Sequence, residues 1–377
     1  MTSPTALANP DRLSGLVADL AAEVEPALLD PARLSQVLRV ADQFPCDLSE
    51  FVGLECRLNR ESAPVDFMFC VGKAAHERAA LARSAARAHQ ASGDLRSGWG
   101  PLAEFAAAWA DPASVLHTHV RDIWLEFDLD SPDSPDSPDS PDSLDSPGPL
   151  DAGAPVPPLP SVFLDIDPGA AHSGAMAGLL DEVSALFAGA WPDPAHRSFL
   201  SHCLRAATIR ASRVVLGLLL PRRADYLRVC VQGLTGGRLL DCLDATGWPG
   251  QRRDLLPVLT SMAPTVDCLT LDLDVAAGIR PRLGVEYMFH SRLRPGAPPP
   301  WGRALNRLSR LGLCRPELAG SLLRFGTAGP GPGAGDPAGG SPGGAGTWRR
   351  LNHLKVVHTP DEPPEAKCYL FARRMEA

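Results

Sequence analysis

The sequence has no paired cysteines, no long hydrophobic run and no dense group of basic residues, and each absence excludes a class of protein. Its nine cysteines form no C-x-x-C pair, which excludes zinc knuckles and thioredoxin-like motifs. The longest apolar run, residues 214–221, is far too short to cross a bilayer. No group of Lys and Arg is long enough to bind a nucleic acid. We therefore expect neither a membrane nor a nucleic acid as partner.

The rest of the composition is that of a globular protein. The chain has 377 residues, of which 45% are hydrophobic and 21% charged, enough for two average domains or one large barrel. Most cysteines stand among apolar neighbours, as buried free thiols do, which indicates a reducing compartment. The first residues lack a basic stretch followed by an apolar one, so we expect no signal peptide and a cytoplasmic protein.

Two segments are of low complexity. Residues 130–160 repeat Asp-Ser-Pro, and residues 325–347 are dominated by Gly, Pro and Ala. Neither can bury a core, so both are predicted to be disordered loops. Strand-like segments flank the first one on both sides, which favours a long hairpin loop over a domain linker. We therefore expect a single barrel domain over residues 1–377.

The remaining chain repeats one order of elements five times, namely two helices followed by two strands. The predicted helices cover 10–28, a helix beginning at Pro31, 73–91, 100–119, 172–190, 194–208, 236–246, 250–262, 301–313 and 315–325. The predicted strands cover 53–58, 65–71, 122–129, 161–167, 212–219, 226–232, 267–275, 281–289, 351–358 and 365–372.

This order predicts an α+β fold, a ten-stranded antiparallel β-barrel of five hairpins surrounded by paired α-helices. Adjacent strands joined by turns pair antiparallel, and closure removes the two free edges that an open sheet would expose. The alternative is a two-layer α+β sandwich whose polar strand face meets solvent. Aromatic residues on the polar face, and paired helices between hairpins, favour the barrel.

Side chains alternate along the strands between an apolar face and a polar face. Leu54 and Cys56 oppose Glu55 and Arg57, for example, on the first strand. In a barrel covered by helices the apolar face points outward, so the polar face lines a lumen. Ten strands make a lumen wide enough for a ligand and water, and we expect the candidate functional residues there.

Five ααββ units resemble the αββα prenyltransferase barrels, which include dimethylallyl-tryptophan synthase-like enzymes and cyanobactin peptide prenyltransferases. The first hairpin, GLECRLNRESAPVDFMFCV, is similar to that of the peptide prenyltransferases, and Glu55 occupies the place of their catalytic base. The last strand contains Lys367-Cys368-Tyr369, which resembles the K-x-Y pattern with which the family binds and shields the prenyl diphosphate. The resemblance implies prenyl transfer, with a prenyl diphosphate as co-substrate.

Glu55 is accordingly the candidate catalytic base. A carboxylate in a partly apolar lumen has its pKa raised towards the working pH, which suits proton abstraction. The alternative interpretation is a solvated strand carboxylate paired with Arg57.

Basic and aromatic residues on the polar face are candidate substrate-binding residues. Arg and Lys suit a diphosphate, and aromatic rings can stack on an allylic cation or on an aromatic acceptor. Glu286, also on this face, is a candidate for binding the substrate. The alternative is that the cations are only counter-ions of the acidic residues. The candidates are Arg228, Arg282, Lys355, Lys367, Tyr369, Trp124, Phe163 and Glu286.

Acidic residues recur two positions apart on three strands, which places both members of a pair on one face. Convergence of these pairs would allow them to hold Mg²⁺ or a cationic substrate, and a hydrated acidic face is the alternative. An acidic lumen would repel a diphosphate unless Mg²⁺ bridged it, so Mg²⁺ is a candidate cofactor. The candidate metal ligands are Glu126, Asp128, Asp272 and Asp274.

The sequence thus leads to three hypotheses about function. The first is a transferase that moves an allylic prenyl group to an aromatic or basic acceptor, a small molecule or a peptide. The second is a peptide-modifying cyclase or lyase of natural-product biosynthesis on the same barrel. The third is a non-catalytic protein that binds a cationic peptide in the acidic lumen.

Overall fold

We describe the fold from a computed structural model. It describes residues 8–60, 64–93, 98–129, 156–167, 169–170, 175–187, 199–204, 211–222, 224–290, 299–325 and 347–375. Most of the two predicted loops, at residues 130–155 and 326–346, lies outside this part of the chain, so their predicted disorder stays a prediction. Residues 156–160 contain no helix or strand, whereas Phe325 is buried and Thr347 already belongs to a strand.

Ten antiparallel strands form a closed barrel in which every strand pairs with its sequence neighbours. The first strand pairs with the last over seven residues on each side, which closes the sheet and confirms the predicted fold over the open sandwich. The strands are β1 (Phe51–Arg57), β2 (Val65–Val71), β3 (Val120–Phe127), β4 (Ser161–Ile166), β5 (Arg213–Leu218), β6 (Leu227–Leu234), β7 (Cys268–Val275), β8 (Ile279–Met288), β9 (Thr347–His358) and β10 (Glu365–Arg374).

Helices precede the hairpins, as predicted. They are α1 (Leu13–Ala21), α2 (Pro31–Ala41), α3 (Ala75–Ser92), α4 (Trp99–Ala110), α5 (Val115–His119), α6 (Ala175–Leu186), α7 (Gly236–Thr246), α8 (Arg252–Met262), α9 (Gly302–Arg310) and α10 (Pro316–Arg324). Residues 199–204 are helical too, within the predicted helix 194–208. The Asp30 side chain caps α2 by accepting from the backbone N–H groups of Ala32 and Arg33 at 2.9 and 3.0 Å.

Two of the predicted helices end earlier in the structure. The predicted helix 10–28 ends at Ala21, well before Pro26. Helix 100–119 breaks at Pro112, because a proline disfavours helical backbone at the residue before it, and Ser114 then caps the short α5 by accepting from Leu116 N–H at 3.0 Å.

The hydrophobic core lies between the helices and the outer face of the barrel. Outward-facing strand residues such as Leu54, Leu125 and Leu164 have no exposed surface. Each such side chain contributes about 1.5–3 kcal/mol by its burial. Trp109 is equally buried and donates its indole N–H to the Val120 carbonyl at 2.9 Å, which attaches α4 to β3. Among the described residues, none of the helices combines the length and the apolar character that a membrane span needs.

Candidate functional site

Glu55 lies in the lumen at the junction of the first and last strands. β1 and β10 pair so that Glu55 faces Tyr369 and Arg57 faces Lys367. Lys367 Nζ is 2.6 Å from Glu55 Oε1, and the Tyr369 hydroxyl donates a short hydrogen bond to Oε2. Arg57 approaches the same carboxylate to 3.6 Å. Glu55 is only 3% exposed, so the N–H and O–H groups of these three neighbours take the place of hydrating water around its carboxylate.

The pKa of Glu55 lies in the opposite direction from the prediction. Burial raises it, but the positive charges of Lys367, Arg57 and Lys355 together outweigh burial and hold it well below its usual range. The sequence could not anticipate this, because it does not tell which cation contacts Glu55. Glu55 is therefore firmly ionised in this state and a weak base until a cation leaves it. Burial and the Glu55 charge raise the pKa of Tyr369, so its hydroxyl stays protonated and donates.

Three carboxyl groups in the lumen are close enough to share one cation. One oxygen each of Glu55, Asp66 and Glu126 lies within 4.8 Å of the others, a group found among the described residues. Burial and the charge of Glu55 raise the pKa of both Asp66 and Glu126. Arg57 also contacts Asp66 at 2.9 Å. The group is thus already neutralised by Arg57 and Lys367, and Mg²⁺ would have to displace these cations.

Of the four predicted metal ligands, only Glu126 belongs to this group. Asp128 forms a bidentate pair with Arg222 at 2.6 and 2.7 Å. Asp272 is paired with Lys355. Asp274 accepts from Arg228 at 2.8 Å. The structure therefore surrounds the other three with protein cations, and Mg²⁺ binding stays a prediction.

The four predicted anion-binding cations fall into two groups. Lys355 and Lys367 face each other across β9 and β10, next to Tyr369. Arg228 and Arg282 share Asp274, which Arg282 contacts at 3.1 Å. All four are thus bound to carboxylates, as the counter-ion alternative supposes. Arg57 and Arg222 also contact carboxylates of the lumen, and binding of an anion by the four predicted cations stays a prediction.

Glu286 has a different electrostatic environment from Glu55. Lys355 Nζ is 3.5 Å from Glu286 Oε1, and His353 Nε2 is 3.8 Å from the same oxygen. Burial and the neighbouring Asp272 outweigh the attraction of Lys355 and raise the pKa of Glu286 to about 8. Glu286 consequently carries a proton near neutral pH, and Glu55 does not.

Aromatic side chains lie beside Glu55. The Trp124 ring contacts those of Phe51 and Phe371 at centroid distances of 5.4 and 5.5 Å, and Met68 and Tyr369 complete this aromatic cluster. Phe163, across from Trp124 on β4, packs instead over Gly217, where a Cβ atom would lie 2.6 Å from its ring. Of the predicted aromatic residues, Trp124 and Tyr369 thus belong to the cluster, and Phe163 does not.

A pocket of about 380 Å³ opens at the mouth of the barrel where β3, β5 and β7 begin. Arg213 lies in it and contacts Asp165 at 2.7 Å and Asp122 at 3.2 Å. Its other lining residues include Gln232 and Met288, whose strand partners face the lumen. We call it the mouth pocket.

Several residues of the site were not singled out from the sequence. Asp66 belongs to the carboxyl group around Glu55, and Arg222 lies on a short 3₁₀ turn after β5, outside any strand pattern. One usable signal was the scarcity of lysine. The chain contains only three lysines, and two of them, Lys355 and Lys367, face the lumen.

The closed ten-stranded barrel with its outer helices is also found in solved structures of other proteins. The chain has the PT-barrel fold of the aromatic prenyltransferases. The prenyltransferase PriB in its apo form matches with a TM-score of 0.51 and 14% identity, covering 98% of this chain and 96% of that one. AnaPT from Neosartorya fischeri matches with a TM-score of 0.53 and 10% identity, covering 95% and 91%. No family model matches the sequence, and neither does a curated protein.

Proposed function

We propose that this PT barrel is a transferase that moves an allylic prenyl group from a prenyl diphosphate to an acceptor with an aromatic ring. The observation that carries the proposal is the contact of Glu55 with both Lys367 and Tyr369 inside the lumen. The ammonium group of Lys367 can bind the diphosphate, the Tyr369 phenol can donate to it, and the Glu55 carboxylate can accept the proton. These three groups are adjacent. Prenyl transfer can use all three groups.

The donor end of the site is formed by Lys367 and Tyr369 on β10, while Lys355 stays paired with Asp272. The ammonium group of Lys367 and the phenol O–H donate to diphosphate oxygens and stabilise the charge that develops as the allylic C–O bond breaks. Because Lys367 is already paired with Glu55, the diphosphate has to take it from that carboxylate. Donor binding therefore changes the environment of Glu55.

The aromatic cluster around Trp124 lies next to this end of the site. Its ring faces can stabilise an allylic cation and exclude the water that would quench it. The aromatic carbon of the acceptor attacks the cation, forming the new C–C bond and leaving a proton to be removed. Glu55 takes that proton. Its pKa rises towards the working pH once Lys367 serves the diphosphate.

The pairing of every predicted anion-binding cation favours a second candidate, a peptide-modifying cyclase or lyase without a diphosphate substrate. Its acid–base work would fall to Glu286, which holds a proton near neutral pH, and to ionised Glu55. The ion pairs of the lumen disfavour the third hypothesis, because a cationic peptide would have to displace Arg228 from Asp274 or Lys355 from Asp272.

Calorimetric titration with dimethylallyl and geranyl thiolodiphosphates, with and without Mg²⁺, tests the proposal. We expect binding that is lost in Lys367→Ala and kept in Lys73→Ala, since Lys73 is the remaining lysine and is exposed. Incubation of the full chain with dimethylallyl diphosphate and an indole acceptor should then release diphosphate. Absence of binding under both conditions would reject prenyl transfer and favour the second candidate.

A further inference from the structure

One stretch of the inner wall carries polar atoms without partners. Thr270 and Asp272 lie on β7, Glu286 on β8 and His353 on β9, and the register brings Thr270 opposite Glu286. Thr270 Oγ1, Asp272 Oδ1 and His353 Nε2 have no hydrogen-bond partner among the described residues. These three residues are 0%, 2% and 7% exposed. We call this set of four residues the β7–β9 wall.

Buried polar atoms without partners are rare in folded proteins, because each lost hydrogen bond costs free energy. Three of them around one carboxyl group indicate that something outside the described chain completes their hydrogen bonds. Ordered water can complete such bonds, and so can a polar group of a ligand; because the three atoms lie on adjacent strands, they form one surface that a ligand group can meet.

The hydrogen-bonding roles on this wall can be assigned. The Asn352 side-chain amide lies 3.0 Å from His353 Nδ1, and its NH₂ group donates, so Nδ1 accepts and the proton sits on Nε2. Burial and Lys355 lower the pKa of His353 to about 3, which keeps the ring neutral. His353 Nε2 is therefore a free donor, Asp272 Oδ1 a free acceptor, and the Thr270 hydroxyl either one.

The charge of the wall favours a neutral ligand. The negative charge of Asp272 is matched by Lys355, and Glu286 and His353 are neutral near pH 7. A carboxylate or phosphate would meet Asp272 without a free cation, and an ammonium group could not use the N–H donor of His353. An amide fits both requirements, since its N–H donates to Asp272 and its C=O accepts from His353.

The wall lies next to the mouth pocket. Thr270 pairs with Gln232, and His353 pairs with Met288. Gln232 and Met288 both line the mouth pocket of about 380 Å³. On its other side the wall adjoins the aromatic cluster, because the rings of His353 and Tyr369 stack at 3.9 Å.

We infer that the β7–β9 wall is a subsite for an uncharged amide group of the acceptor, placed so that the aromatic ring of the same molecule reaches the cluster around Trp124. The inference rests on the proposed function and narrows its acceptor to an aromatic compound that carries an amide. It replaces the basic acceptor that the sequence suggested.

Three indole ligands with the same side-chain length test the subsite: 3-indolepropionamide, methyl 3-indolepropionate and 3-indolepropionate. Titrating each into the full-length protein without donor, we expect the amide to bind roughly tenfold more tightly than the ester, which cannot donate. The carboxylate should bind most weakly. In Thr270→Val and in His353→Phe, which keeps the stacked ring, the preference for the amide should shrink to about twofold.

Ser161→Ala is the matched control, since Ser161 also has a buried hydroxyl without a partner but lies on β4, three strands from the wall. It should keep the full preference. Equal binding of amide and ester to the unchanged protein would show that the wall holds only water. This result would overturn the inference but leave the proposed prenyl transfer standing. Failure of all three indoles to bind would instead reject the aromatic acceptor, and the inference with it.

Discussion

Lys367 Nζ lies 2.6 Å from Glu55 Oε1 in the lumen, so the proposed diphosphate-binding cation is held by the proposed base. Both groups are almost completely buried, and the Tyr369 hydroxyl adds a hydrogen bond to the same carboxylate. A buried pair of this kind is strong because little water competes with it. A diphosphate therefore competes with Glu55 for Lys367. A change at Glu55 should alter diphosphate binding, and diphosphate binding should alter the pKa of Glu55.

The first prediction concerns Glu55→Gln. Removing the carboxylate charge frees Lys367, so a prenyl thiolodiphosphate should bind roughly tenfold more tightly. The same variant should lose turnover, because the amide cannot accept the proton. Calorimetry measures the affinity, and chromatography of the products measures turnover.

Glu365→Gln is the control for this variant. Glu365 lies 3.9 Å from Lys367 at the rim of the barrel and is more exposed, so its removal should change affinity little. Weaker donor binding in Glu55→Gln would show that Lys367 does not receive the diphosphate. Full turnover in that variant would remove Glu55 from the reaction.

A second prediction concerns Gly284. A Cβ atom at this position would lie 2.8 Å from Lys355 Cε and 3.1 Å from Asp272 Oδ2, so the glycine leaves space for the Lys355–Asp272 pair. Gly284→Ala should lower the free energy of unfolding by about 1–3 kcal/mol, as overpacking does. Urea denaturation measures it. Gly278→Ala, where no atom lies within 4 Å, should change stability by less than about 0.5 kcal/mol. Equal effects would exclude crowding at Gly284.

The sequence predicted the features of the site that depend on a single strand, but not those that depend on contacts between strands. Alternation along single strands was enough to place Glu55, Lys367 and Tyr369 on the inner face, and repetition was enough to predict the barrel. The contact between Glu55 and Lys367 was out of reach, because it joins residues 312 positions apart through closure of the sheet. The direction of the Glu55 pKa depends on that contact, so it was predicted wrongly.

Other residues lie outside any periodic pattern. Arg222 stands on a 3₁₀ turn, and its side chain contacts Asp128 just after β3, a contact that strand alternation does not encode. The heights at which Asp272 and Asp128 face the lumen depend on the register between strands, which is a property of the closed barrel. The sequence pattern therefore predicted that the four metal ligands lie on the same face of the sheet. In the structure Asp128, Asp272 and Asp274 are each paired with a different cation.

A third prediction concerns pH. The pKa of Glu286 is raised to about 8 in the folded protein, above the 4.5 of a free glutamate. The folded state therefore binds this proton more tightly than the unfolded state, and the associated stability is complete below about pH 4.5 and lost as the pH rises to about 8. In Glu286→Gln the neutral group is permanent.

Urea denaturation between pH 5 and pH 9 measures the effect. The unchanged protein should lose stability relative to Glu286→Gln as the pH rises, by at most about 1.4 kcal/mol per pH unit. Glu362→Gln changes an exposed carboxylate and should give a curve parallel to that of the unchanged protein. A Glu286→Gln curve that is also parallel would mean that Glu286 is ionised throughout this range.

The last prediction concerns Asp274, which neutralises Arg228 at 2.8 Å and Arg282 at 3.1 Å. Arg228 is only 5% exposed, whereas the Arg282 side chain is 33% exposed and can turn outward. Asp274→Asn should therefore cost about 3–5 kcal/mol, because it leaves the Arg228 charge buried without its counter-ion.

Replacing both partners, in Arg228→Met with Asp274→Leu, removes the buried charge together with its counter-ion. The double variant should be far more stable than the sum of its single variants predicts, with an interaction free energy above about 2 kcal/mol in a double-mutant cycle. The exposed pair of Arg373 and Glu50, at 3.2 Å, is the control and should couple by less than about 1 kcal/mol. Additive losses at Arg228 and Asp274 would mean that water solvates the two side chains. The ion pair would then contribute little to stability, and this part of the lumen would be hydrated.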